Sequence, residues 1–194
     1  MTRRPRIGID VDGICADYVG GYLRSLAELC GIVRQPHEVT GWDIAASLGL
    51  TRKQHGMVRR AIRSPGWCYE LPVLDGAKDG LRELSQLPVD WYFVTTPDRG
   101  AATWRSDRAA WCGDVFGFPD REVIQVRDKT LAAVDYLTDD KPATVEAFGL
   151  GRSMLWKTTQ NRDHGLVGVC EVDGWPDLLG RVRALLDLGG RHGG

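Results

Sequence analysis

The chain has 194 residues, enough for one domain with a small insertion and a sizeable buried core. Hydrophobic residues make up 43% and charged residues 26%, as in ordinary globular proteins, and a formal net charge of −1 provides no global basic field to hold nucleic acid. Five scattered cysteines with no Cys-x-x-Cys pair argue against a zinc site or a disulfide framework and fit a reducing cytoplasm.

Arg3, Arg4 and Arg6 lead directly into Ile7-Gly8-Ile9-Asp10 with no apolar leader, so no signal peptide is expected. No apolar run is long enough to span a bilayer. Residues 6–11 read as a buried strand ending in acid and glycine. Helical spacing of Val19, Tyr22, Leu23, Leu26 and Leu29 predicts a helix over 16–30, ended by Gly31. Residues 36–67 are interrupted by Gly41, Gly49, Gly56 and Gly66. So long a stretch without structure of its own is unusual in a compact domain, which favours a small helical cap. Alternation then resumes: helix 76–87, strand 89–94, helix 101–111, strand 122–126, a short helix over 130–134, strand 136–138, helix 142–148, strand 153–156 and helix 175–188. This pattern predicts a Rossmann-like parallel sheet with helices on both faces. The expected organisation is an α/β core from 1–16 and 70–188, the first core helix and cap from 17–69, and a disordered tail over 189–194.

Four pieces of chemistry fall at predicted strand ends, and in an open α/β sheet such ends converge on one crevice. The first is Asp10-Val11-Asp12-Gly13. Residues two apart on a strand face opposite ways, but Gly13 allows a sharp turn that brings both acids to one place. Asp10 is placed to attack phosphorus, and Asp12 to protonate the leaving oxygen and later activate water. A neighbouring carboxylate would raise the proton affinity of Asp12, while a metal would oppose that. The second piece is Asp139-Asp140, a costly pair unless a cation joins it, with magnesium the natural partner. Asp139 also suits a cap for the helix beginning near Pro142. The third is Thr95-Thr96, whose hydroxyls can hold a phosphoryl oxygen. The fourth is Lys129, a point charge for a transferring phosphoryl group.

These motifs resemble those of the haloacid dehalogenase-like (HAD-like) superfamily, and the presence of Asp12 favours its phosphatases. Asp-Val-Asp-Gly-Ile-Cys-Ala-Asp-Tyr, Tyr-Phe-Val-Thr-Thr-Pro and Arg-Asp-Lys-Thr with Asp139-Asp140 beyond it resemble the 5′(3′)-deoxyribonucleotidase family. So do Ser64-Pro65-Gly66-Trp67, Asn161-Arg162 and the late Trp175. The resemblance implies a HAD-like fold and a magnesium-dependent phosphatase of nucleoside 5′-monophosphates working through an aspartyl phosphate. It implies Asp10 as nucleophile and metal ligand, Asp12 as general acid/base and ligand through its backbone carbonyl, and Asp140 as the third ligand. Thr95, Thr96, Arg127 and Lys129 would hold the phosphate. Tyr18, Trp42 and Trp67 would surround the nucleoside, where base stacking on an aromatic face is worth about 1–3 kcal/mol. The competing reading packs Trp42 and Trp67 inside the cap. The partner is expected to be a small nucleotide, with no nucleic acid and no membrane, in a homodimer by family resemblance. The alternatives are a HAD-like phosphatase of another small metabolite, or a nucleotide-binding domain without turnover.

Overall fold

Strand β1 (Arg6–Ile9) lies inside a six-stranded, all-parallel sheet ordered β3-β2-β1-β4-β5-β6. The others are β2 (Asp90–Thr95), β3 (Val123–Gln125), β4 (Tyr136–Asp139), β5 (Ser153–Trp156) and β6 (Cys170–Val172). The computed structural model describes residues 3–119 and 122–190, without the side chains of 188–190. The chain builds outward from β1 to β3 on one side, then crosses back to β4 and builds outward on the other. That reversal opens a crevice at the carboxyl ends of β1 and β4.

Both sheet faces are buried, as parallel sheets require. Ile7, Ile9 and Phe93 belong to the larger core, which also holds Tyr22, Leu26, Trp111 and Leu178. Val94, Leu137, Val134 and Phe148 form the smaller core on the opposite face. Gly8 lies against the smaller core: a Cβ there would meet Val94 Cγ2 at 2.9 Å. A side chain at that position would therefore push the second layer away from the central strand.

Helix α1 (Tyr18–Cys30) starts where the Asp17 side chain accepts from the Gly20 N–H and stops at left-handed Gly31. It packs against α3 (Arg52–Ile62), which follows the single-turn α2 (Ile44–Ser47) and opens with a Thr51–Gln54 capping box. After α4 (Ala77–Leu84) and β2 comes α5 (Trp104–Phe116). Helix α6 (Pro142–Phe148) covers β4 and β5, and α7 (Trp175–Gly190) packs on α4. No helix among the described residues is long and apolar enough to cross a membrane.

Four differences from the sequence reading stand out. Helix α5 begins and ends later than the expected 101–111, closing at left-handed Gly117. Residues 130–134 are not a helix; a 3-10 turn covers Lys129–Leu131 instead. The Asp128 carboxylate caps the start of that turn, accepting from the backbone N–H and hydroxyl of Thr130 at 3.0 and 2.6 Å. Strand β6 was not anticipated, because three residues carry too little periodicity to register. Helix α7 runs to Gly190, two residues into the expected tail, and 191–194 lie outside the described residues.

Candidate active site

The site grows from the register of β1 and β4. Ile9 lies opposite Thr138, and the Asp10 N–H donates to the Thr138 carbonyl at 2.9 Å. Asp10 and the Asp139-Asp140 pair therefore leave adjacent strands side by side. Beyond Asp10 the chain turns tightly, with the Cys15 and Ala16 N–H groups both donating to the Val11 carbonyl at 2.8 Å. Gly13 takes a φ of +81° in this turn, a conformation favouring glycine. Carboxylate oxygens of Asp10, Asp139 and Asp140, all buried, lie within 4.8 Å of one another.

Lys129 is 5% exposed and bridges this cluster. Its ammonium lies 2.7 Å from Asp10 Oδ1 and 2.7 Å from Asp139 Oδ2. The second Asp139 oxygen accepts from the Lys141 N–H at 2.8 Å, just before α6. Both Asp139 oxygens are thus engaged. By contrast, no hydrogen bond or ion pair from a described residue reaches the Asp140 carboxylate, although Asp140 is only 6% exposed. Its backbone is held firmly, since Asn161 Nδ2 donates to the Asp140 carbonyl at 2.7 Å and to the Trp156 carbonyl at 2.8 Å.

The electrostatics follow from crowding. Burial, then the charges of Asp139 and Asp12, push the Asp10 carboxyl up to about 7, with Lys129 opposing. Burial and the charges of Asp10 and Asp139 push Asp140 well above the carboxylate range. Burial works against the Lys129 ammonium, but Asp10 and Asp139 outweigh it and hold its pKa above the ordinary lysine value. One lysine leaves this cluster short of positive charge. A hard, oxygen-only donor set with a free carboxylate could hold a hard divalent cation.

The phosphate candidates follow β2 and β3, except Thr95, which is the last residue of β2 and does not line the cavity beside the cluster. Thr95 ends β2 fully buried, and its hydroxyl has no hydrogen-bond partner. A buried hydroxyl left unpaired costs stability unless a ligand uses it. Thr96, Arg127 and Lys129 line a cavity of about 460 Å³ together with Asp10, Asp12 and Asp140. Tyr18 and Trp42 line its outer wall.

Trp67 is not in that wall. It is buried beneath it, with the indole N–H donating to Ser25 Oγ at 3.0 Å and Tyr18 packed edge-on at 5.5 Å. Trp104, which the sequence reading missed, takes the place in the wall and stacks on Trp67 at 6.0 Å. It lies in α5, where its helical spacing with Arg108 and Trp111 signals a packed face rather than a cavity. Asp98, Lys141 and Gln160 also line the cavity and had no motif to betray them.

The surroundings of Asp12 also differ from expectation. Asp10 is the carboxylate neighbour that was expected, and the structure adds a cation against Asp12. Arg108 Nη2, fully buried in α5, lies 2.5 Å from Asp12 Oδ1. The Asp12 carboxylate is not part of the metal-competent cluster.

A family model described as 5′ nucleotidase, deoxy (Pyrimidine), cytosolic type C protein matches residues 4–185. The chain is 30% identical over 150 residues to the mitochondrial 5′(3′)-deoxyribonucleotidase of Homo sapiens, covering 72% of this chain and 64% of that protein. It thus spans less than two thirds of that relative's length. Among solved structures, a haloacid dehalogenase-like hydrolase from Streptococcus pneumoniae superposes with a TM-score of 0.60 at 15% identity, covering 94% of this chain and 100% of that one. The hydrolase YfnB from Bacillus subtilis, solved bound to magnesium, gives 0.58 at 17% identity over 94% and 100%. At such identities the structural likeness establishes the HAD-like fold alone.

Proposed function

The chain belongs to the deoxy 5′-nucleotidase family of the HAD-like fold, and from that premise we propose that it is a magnesium-dependent phosphatase of deoxyribonucleoside 5′-monophosphates. The observation that carries the reading is the free, buried Asp140 carboxylate beside Asp10 in the lining of a cavity that also contains Lys129 and Thr96.

Asp10 attacks phosphorus through a carboxylate oxygen, forming an aspartyl phosphate as the bond to the nucleoside 5′ oxygen breaks. Asp12 gives that oxygen a proton and later takes one from the water that cleaves the aspartyl phosphate, releasing inorganic phosphate and restoring Asp10. Lys129 keeps Asp10 oriented and offsets phosphoryl charge, while Thr95, Thr96 and Arg127 hold phosphoryl oxygens. A magnesium ion held by Asp10, Asp140 and the Asp12 carbonyl would supply positive charge to bind the phosphate and stabilise its transfer. Tyr18, Trp42 and Trp104 offer aromatic surface to the nucleoside, with Trp67 as their backing. Residues 17–69 supply the first core helix, α1, and after it the small helical cap over this cavity. Five unpaired cysteines support a cytoplasmic setting. Assembly as a homodimer rests on the family and is read directly by light scattering.

The test is phosphate release from a panel of deoxy- and ribonucleoside 5′-monophosphates, with sugar phosphates alongside, in magnesium and in chelator. Release that needs magnesium, favours deoxynucleotides and disappears in Asp10→Asn is the expected result. Turnover of sugar phosphates alone would discard the nucleotide assignment, and no turnover at all would leave a binding domain.

A further inference from the structure

Arg108 is fully buried, and of its nitrogens Nε and Nη1 have no hydrogen-bond partner. The one carboxylate it reaches among the described residues is Asp12, at 2.5 Å. Its guanidinium lies 5.6 Å from the Trp104 ring and 5.4 Å from the Trp111 ring, so aromatic faces stabilise the charge that hydrogen bonds do not. A buried guanidinium with orphaned N–H groups is expensive, and replacing such an ion pair by apolar side chains is often neutral or stabilising. Fold stability is therefore a poor reason for this arrangement. Its geometry suggests another. Asp12 lines the cavity and Arg108 does not, so Arg108 grips the carboxylate from behind. The grip falls on Oδ1, and no described residue bonds Oδ2.

We propose that Arg108 is the positioning residue for Asp12, locking its side chain so that the second oxygen is presented to the leaving oxygen of the substrate. This rests on the phosphatase reading above. A general acid or base works only within hydrogen-bond reach of its proton, and a misplacement of about 1 Å can cost on the order of 100-fold. Trp104 has two parts in this arrangement. One side of its environment is the cavity wall and another is the guanidinium, which keeps water from loosening the pair.

The experiment compares leaving groups. kcat and kcat/KM are measured for a deoxyribonucleoside 5′-monophosphate, whose alkoxide needs a proton to depart, and for p-nitrophenyl phosphate, whose phenolate does not. The proteins are wild type, Arg108→Met, Arg108→Lys and Asp12→Asn, with both Arg108 changes also made in the Asp12→Asn background. Arg108→Met should lower kcat/KM on the nucleotide about 100-fold, within the range for general acid catalysis, and on the aryl phosphate by less than about fivefold. kcat on the nucleotide should fall with kcat/KM while KM holds, and Arg108→Lys should recover part of the loss. In the Asp12→Asn background neither change should cost the nucleotide reaction anything further. If Arg108→Met does not fold, Arg108→Lys and its double variant carry the same comparison. Equal losses of kcat/KM on both leaving groups, or full losses persisting without Asp12, would overturn the proposal while leaving the phosphatase intact. A folded wild type that hydrolyses neither compound would sink the phosphatase reading and this inference with it.

Discussion

Gly13 stands directly against Asp140: a Cβ on Gly13 would lie 2.1 Å from Asp140 Oδ2. The turn after the first acid therefore has two reasons to be glycine, its φ of +81° and the space its hydrogen leaves for the free carboxylate. Gly13→Ala should displace Asp140 without disturbing the sheet. The magnesium concentration giving half-maximal phosphate release should rise about tenfold or more, the scale on which disturbing a ligand's support weakens metal binding. A magnesium titration of activity checks this, and an unchanged midpoint would remove Asp140 from the metal site.

Crowded carboxylates also make metal-free stability fall as pH rises. The Asp10 carboxyl ionises at about 7 in the folded protein against an ordinary value of 3.8, so between those values the native state holds a proton that the unfolded chain has lost. Unfolding then releases that proton, and the free energy of unfolding decreases with rising pH through this window. Asp140 shifts in the same direction and adds to the slope. Magnesium competes with these protons. The rise in Tm on adding magnesium should be larger at pH 8 than at pH 5.5, which differential scanning fluorimetry reads. An equal rise at both would mean the ion binds elsewhere.

Lys129 is the one buried cation between Asp10 and Asp139 among the described residues. Lys129→Met leaves their charges uncompensated, and breaking a buried pair from one side costs about 3–5 kcal/mol. Chemical denaturation in chelator should show a loss of that order, along with loss of phosphate release. Magnesium should restore more stability to the variant than to wild type, because the ion then supplies charge the lysine no longer does. Retained turnover would take Lys129 out of the phosphate site.

The two tryptophans expected at the nucleoside should separate experimentally. Trp42 is 43% exposed at the cavity mouth, so Trp42→Ala should raise KM for nucleotides while stability changes by about 0.5 kcal/mol or less. Trp67 is buried with its N–H satisfied, so Trp67→Ala should cost about 3–5 kcal/mol. Paired thermal melts and Michaelis curves decide. A Trp42 variant with unchanged KM would move the nucleoside elsewhere in the cavity.

The acids were legible because each ends or follows an apolar strand run, and parallel strands align such ends at one edge. Asp10, Thr95 and Asp140 follow from chain order and the rule that the crevice opens at carboxyl ends. The inward turn of Lys129 was half legible: its place after β3 was visible, but its partners Asp10 and Asp139 depend on how the 3-10 turn folds over β4.

By itself, then, the sequence determined the alternation of elements, the parallel sheet and the order of chemistry along its edge, all of which are local patterns repeated down the chain. Tertiary structure decided that Trp104 rather than Trp67 faces the cavity and that Arg108 stands behind Asp12. These depend on which side of α5 meets the loop after β1, across 96 residues of chain, where packing chooses among faces that helical spacing alone leaves equivalent.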